Sequence, residues 1–323
     1  MNARFARRPH RGRRLAVAAA AAALLPLPVL TACGSGAATT AAAAPGGSAS
    51  PAPSENVVAG LRKIDALAAL LPEDVRRAGT VRVGSSVGYP PSGYYADGSK
   101  TPVGQDIDFT DAAAKLLGLK VDREVASFET ILPALGSGKY DLGTGNFGVT
   151  TERLKTIDFV TYIDDGQGFG VSRGNTTLNK VTDLTQLCGL TIGTGAGTTF
   201  ESTLNANKGL CAKSGRKPYQ VKVFAETGAI LTSLQQGRID VVMSTINGLR
   251  YQAAQPAAGV RFLGEFHRLD VGFAFRKGSQ LTTAFQAAVN ELIKDGTYAR
   301  ILAKWGTTES AVSESQINPP EKQ

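Results

Sequence analysis

Apolar positions along the chain recur with two periods, and the switch between them marks the elements. Residues 81–84 and 120–125 are short β-rich runs that read as strands. Between them, residues 107–117 repeat apolar side chains at helical spacing and stop at Gly118, a residue suited to the left-handed position that closes a helix. Residues 128–135 read as a further helix and 140–144 as a third strand. This alternation predicts an α/β fold with mainly parallel sheets. Near the C-terminus, residues 281–293 set Leu281, Phe285, Val289, Leu292 and Ile293 on one helical face after the cap candidate Ser279, and a helix over 298–305 follows. Beyond Gly306 the chain turns polar, and residues 311–323 are expected to be a frayed tail.

One helix-strand unit occurs twice. Leu132-Pro-Ala-Leu135-Gly-Ser-Gly138-Lys-Tyr-Asp141-Leu142 reappears as Leu231-Thr-Ser-Leu234-Gln-Gln-Gly237-Arg-Ile-Asp240-Val241. In each copy a helix runs into a closing glycine, a basic residue follows, and an aspartate opens a strand. The duplication predicts two similar lobes within a globular part spanning about 57–311, a length comfortable for two domains of modest size.

The N-terminal pattern is different in kind. Arg4, Arg7, Arg8, Arg11, Arg13 and Arg14 precede an apolar run over 15–30 that contains Pro26 and Pro28. The run is shorter than the roughly 20 apolar residues a spanning helix needs, so it reads as an export signal. It ends in Leu30-Thr31-Ala32-Cys33, which resembles the lipobox of bacterial lipoproteins. That resemblance implies that 1–32 is removed and that Cys33 becomes an acylated N-terminus; ordinary secretion is the alternative. Residues 33–56 are a Gly, Ala, Ser, Thr and Pro tract too poor in large apolar residues to fold. As a tether it would reach roughly 25 to 30 Å.

Export changes the charge picture. The formal net charge of +8 includes those six arginines, and without them 29 basic residues face 27 acidic ones, so the basic balance points to no nucleic-acid partner. With Cys33 assigned to lipid, Cys188 and Cys211 are an even pair in an oxidising compartment. We read them as a disulfide closing a loop of about 23 residues, with two buried thiols as the alternative.

The globular part resembles the bacterial extracellular solute-binding proteins of the polar amino-acid type, family 3. The resemblance is carried by Tyr89-Pro90-Pro91, Val103-Gly104-Gln105-Asp106-Ile107-Asp108, the segment from Ile131 to Asp141, and Thr150-Thr151-Glu152-Arg153 with Asp158-Phe159. It continues through Gly195-Ala-Gly197-Thr198-Thr199, Gly237-Arg-Ile-Asp240 and the segment from Asp295 to Trp305. It implies a two-lobed, type II periplasmic-binding-protein-like α/β fold with hinge strands. Lobe 1 would comprise 57–164 and 275–310, and lobe 2 would be 165–274, with hinges near 164–167 and 270–273. It also implies capture of a small polar solute, an amino acid or derivative, for the permease of an ABC importer, with no cofactor, no metal and no catalysis. The protein would sit outside the cytoplasm, held to the membrane by its N-terminal lipid.

The same resemblance implies the site. Arg153, one turn from the cap candidate Thr150, offers a planar fork for a carboxylate. The amides of Thr198 and Thr199, at a helix start, would bind the other side of that anion. Tyr89 matches the family's stacking aromatic, with Phe147 and Tyr94 as neighbours. Two departures stand out. Asn146 and Gly148 occupy positions that commonly carry hydroxyls, and Thr245 stands where the family usually has the acid that pairs with the ligand's α-ammonium. Asp164, Asp165 and Glu129 are candidate replacements for that charge.

Four rival readings have less support. Gly143-Thr-Gly145-Asn-Phe-Gly148 matches a dinucleotide-binding pattern, but only a few residues separate it from the next strand. His267 stands alone, and no hydrolase motif accompanies it. An enzyme similar to cyclohexadienyl dehydratase would share the scaffold, as would a sensor subunit that binds ligand without transport.

Overall fold

The protein's structure, a computed structural model, describes residues 53–323. The expected signal segment, Cys33 and the tether as far as residue 52 lie outside the described residues. Two short helices, α1 (Asp65–Ala68) and α2 (Glu73–Ala78), lead into β1 (Thr80–Ser85). A small hairpin of β2 (Tyr94–Tyr95) and β3 (Pro102–Val103) is followed by α3 (Gln105–Leu117), β4 (Lys120–Val125), α4 (Phe128–Gly136) and β5 (Leu142–Gly148). The chain crosses on β6 (Ile157–Ser172), then runs through β7 (Thr191–Gly195), α5 (Thr199–Ala206), α6 (Leu210–Lys213), β8 (Gln220–Phe224), α7 (Thr227–Gln235), β9 (Val241–Thr245) and α8 (Ile246–Ala254). It returns on β10 (Val260–Arg276) and ends in α9 (Thr282–Lys294) and α10 (Thr297–Trp305).

The main sheet has the order β4-β1-β5-β10-β6-β9-β7-β8. Read inward from either edge, each half is a parallel trio, with its first strand in the middle, followed by an antiparallel crossing strand. The fold is therefore two-lobed α/β of the periplasmic-binding-protein kind, and the internal repeat has a physical reason. Asp141 and Asp240 open β5 and β9, and each accepts a backbone N–H of the middle strand, from Arg82 at 2.9 Å and from Thr191 at 2.7 Å. Each also donates its own N–H back to that residue's carbonyl. The glycines before them, Gly138 and Gly237, have φ of 75° and 66°, which the helix-closing turn requires.

Each half has a core on both faces of its sheet. In the first half, Val81, Val83, Phe109 and Leu117 join Phe285, Leu292 and Trp305 on one face, and Ile131, Leu135, Phe147 and Phe159 fill the other. In the second, Phe169, Ile192, Leu204 and Met243 lie opposite Ile230, Leu234, Val242 and Leu249. Cys188 and Cys211 form a disulfide inside the second half. The crossing strands β6 and β10 pair only with each other over 164–166 and 268–270, because β9 joins at Gln167 and β5 at Val271.

The C-terminal segment differs from expectation. Residues 311–323 are not frayed: Ser315 and Gln316 bond Thr161, Asn318 bonds Phe159 and Asp158, and Lys322 bridges Asp164 at 2.8 Å and Asp270 at 2.7 Å. The polar composition that suggested solvent instead serves strand ends and the carboxylates of the crossing strands. The expected helix start at Ser279 lies slightly early; its Oγ accepts the N–H of Leu281, one residue before α9. The glycines of the dinucleotide-like pattern lie within β5, which ends in a 3-10 turn over Arg153–Lys155, so no helix opens there.

Candidate functional site

The C-terminal ends of the central strands of both halves face one cleft, the place where open α/β sheets ordinarily bind ligands. From the first half come Ser86 beyond β1, the Tyr89–Gly93 loop, Phe128 at the start of α4, and Gly145, Asn146 and Gly148 of β5. Arg153 follows on the 3-10 turn, whose entry is held by the Arg153 N–H donating to the Thr150 hydroxyl at 3.2 Å. The second half contributes Thr198, Thr199, Phe200 and Thr245.

Arg153 is partly buried, and loss of solvent pulls its guanidinium pKa down to about 10. It donates to the carbonyls of Gly148 at 2.9 Å and, across the cleft, Gly197 at 3.2 Å. Its carbon lies 5.8 Å from the Phe128 ring centre and 5.9 Å from that of Phe147. Among the described residues no carboxylate pairs with it, so its charge is oriented by carbonyls and rings and left without a counter-ion.

Opposite, Thr198 caps α5. Its hydroxyl accepts the Glu201 N–H at 3.2 Å and donates to the Gly195 carbonyl at 2.7 Å. The Gly197 amide is taken by the Glu201 carboxylate at 2.9 Å, while the amides of Thr198 and Thr199 donate to no acceptor among the described residues. They are first-turn donors at the positive end of a helix. Tyr89 reaches over from the first half: its hydroxyl bonds Thr227, and burial pushes its phenol pKa up against that hydrogen bond. The oxygen lies so close to the second half that a Cβ on Gly195 would stand 3.0 Å from it.

The floor is a buried polar network. Asn146, at φ 58°, donates its backbone N–H to Asp106 at 2.8 Å and its side-chain nitrogen to Asp165 at 2.9 Å and Ser92 at 3.1 Å. Asp165 also accepts the amides of Gly166 at 2.8 Å and Asn247 at 3.1 Å. Burial raises Asp106 to about 7 and Asp165 to about 6.

Seven of the eight expected ligand-binding residues line this cleft: Tyr89, Asn146, Gly148, Arg153, Thr198, Thr199 and Thr245. Phe147 does not. The strand alternation points it into the core, fully buried, with its ring 4.6 Å from Phe128, and Phe128 takes the place in the cleft wall. Tyr94 likewise packs on Trp305 and Tyr251. Of the candidate compensating acids, Asp164 is paired with Lys322, Asp165 is sealed in the floor, and Glu129 is exposed. Thr245 commits its hydroxyl to capping α8 through the Gly248 N–H at 3.0 Å. Ser86, Ser92, Phe128 and Phe200 were not expected from sequence; the position of Ser86 just past a strand end was the available signal.

Comparison with known proteins bears on the family and the fold. The family model described as bacterial extracellular solute-binding proteins, family 3, matches residues 81–308. The arginine-binding protein ArgT of Corynebacterium glutamicum is 27% identical over 252 residues, 77% of this chain and 82% of the relative. A solved ancestral arginine-binding protein bound to arginine is 36% identical with a TM-score of 0.63, covering 70% of this chain and 98% of the other. The ancestral amino acid-binding protein AncCDT-1, a precursor of cyclohexadienyl dehydratase, is 29% identical with a TM-score of 0.63, covering 72% and 98%.

Proposed function

The chain belongs to the bacterial extracellular solute-binding proteins, family 3, and we propose that it captures an amino acid or related small carboxylate between its lobes and delivers it to an ABC importer. One observation carries the reading: Arg153, half-buried at the cleft with no counter-ion, faces the unpartnered amides of Thr198 and Thr199. Two donor sets of positive character on opposite lobes are suited to one carboxylate, and only closure brings both onto it. The relatives named for arginine binding support a ligand carrying that group. Binding is favoured over turnover because, among the described residues, the cleft lining holds no carboxylate, imidazole or thiol to act as acid, base or nucleophile.

In this reading lobe 1 is 57–164 with 275–310, lobe 2 is 165–274, and the paired stretches 164–166 and 268–270 are where they bend. Cys33 carries the lipid, the low-complexity tract is the tether, and the protein works outside the cytoplasm. Among the described residues no helix is long and apolar enough to cross a membrane.

The test is a thermal-shift and calorimetric screen of residues 53–323 against amino acids and small carboxylates. A stabilising compound should raise Tm with concentration as mass action requires. Arg153→Ala should then weaken binding by at least about 2 kcal/mol, the cost of stranding a buried carboxylate. Unchanged affinity would remove Arg153 from the site.

A further inference from the structure

Resting on that reading, we infer that the cleft selects a small monocarboxylate whose α-substituent is an uncharged hydrogen-bond donor, a hydroxyl or an acylated amine, over a zwitterionic α-amino acid.

The inference comes from the charges around the cleft. Arg153 is the one charged side chain among the described residues lining it, so the lining carries a single positive charge. A monoanion neutralises that charge. A zwitterion brings a second cation, and an ammonium taken out of water needs an anionic partner or costs more than its hydrogen bonds return. Thr245 in the lining is a neutral hydroxyl, and its oxygen already accepts the Gly248 N–H at 3.0 Å.

The two carboxylates beneath the floor do not substitute. Asp106 and Asp165 are 2% and 0% exposed. Asp165 has both oxygens engaged, one by the amides of Gly166 and Asn247 and the other by the Asn146 side chain. Asp106 takes the Asn146 amide on one oxygen, and its other oxygen is sealed from solvent. Asn146 therefore stands between these acids and the ligand. Its nitrogen must face the Asp165 carboxylate, which fixes the orientation of its carboxamide and leaves the oxygen with no donor among the described residues. That is a neutral acceptor, matched to a hydroxyl or an amide N–H.

The experiment is calorimetric titration at pH 7.5 with compounds that share a side chain and differ only at the α-position. The sets are alanine, leucine and phenylalanine, each with its L-2-hydroxy acid and its N-acetyl derivative. In at least one set, a hydroxy or acetyl compound is expected to bind at least tenfold tighter than the amino acid. Thr245→Asp, which keeps a residue able to cap α8, should shift that ratio at least tenfold toward the amino acid. Amino acids binding as tightly as their analogues would overturn the inference while leaving the binding role standing, and would mean that Asp165 acts through Asn146. Binding by no member of any set would overturn the inference, and the binding role would then stand or fall with the wider screen of amino acids and small carboxylates.

Discussion

Asp106 shows what a single residue can be required to do beneath a binding site. Burial raises its carboxyl from 3.8 to about 7, against the pull of the hydrogen bond from the Asn146 amide, with Asp165 adding to the rise and Arg123 opposing it. A raised carboxyl in the folded state holds a proton that the unfolded chain has released. Its contribution to stability is present below about pH 4 and is lost as pH climbs through 6 and 7. Asp165, raised to about 6, acts in the same direction. Asp106→Asn keeps an acceptor for the Asn146 amide and removes the proton release. It should flatten the fall in Tm between pH 5 and pH 8, a difference on the order of 3 kcal/mol by calorimetry; an equally steep profile would show that Asp106 does not govern it. None of this was legible from sequence, where Asp106 was simply part of a family motif. Arg153, Thr199 and Tyr89 could be placed because a local motif marks each of them. Phe147 was misplaced because adjacent strand residues face opposite ways, and the register that decides between Phe147 and the cleft is set by β10, far along the chain.

Among the elements, those specified by short-range signals were readable to within a few residues: α3 stops at Gly118, at φ 71°, and β4 spans the expected residues. The C-terminal segment was not, because its partners are distant. Its polar side chains look solvated until β6 is placed beneath them. Ser315 donates to the Thr161 carbonyl at 2.6 Å, and Gln316 donates its N–H to the Thr161 hydroxyl at 2.8 Å. Ser310 bonds Asn247 and Glu309 pairs with Arg250, both on α8 of the second half. The segment from Thr308 onward thus touches both halves and the crossing strands. Ending the chain after Ala311 strips Ser315, Gln316, Asn318 and Lys322 from their partners and leaves Asp164 facing Asp270 with no lysine between them. Losing the bonds of Ser315 and Gln316 to Thr161 and of Asn318 to Phe159, at about 1 kcal/mol each, predicts a drop in Tm of at least about 5 °C. A true tail would leave Tm unchanged, so differential scanning calorimetry on the shortened chain separates the two descriptions.

For the molecule as a whole, the two-lobed design was legible because the repeat reports a duplicated topology, each copy tying its aspartate to the middle strand of its own sheet. What the repeat does not report is how firmly the halves hold each other. At the cleft the direct polar contacts across it are few: Arg153 to the Gly197 carbonyl, and the Tyr89 hydroxyl to Thr227. Each is worth about 1 kcal/mol net, so on the proposed reading opening about the crossing strands would compete with closure in the absence of ligand. On the proposed reading, a carboxylate gripped by Arg153 from one side and by the Thr198 and Thr199 amides from the other would bind the closed form far better than the open one, and that difference would shift the population. Small-angle scattering should therefore show a smaller radius of gyration at saturating ligand than without it, and Arg153→Ala should lose the contraction even at concentrations that restore occupancy. Hinged closure around ligand is general among periplasmic binding proteins, and under the proposed role it would matter because a membrane importer can respond only to a shape that depends on cargo. A radius unchanged at saturation would leave a protein that binds without signalling, and the importer role would have to be replaced by one in which occupancy is read locally at the cleft mouth.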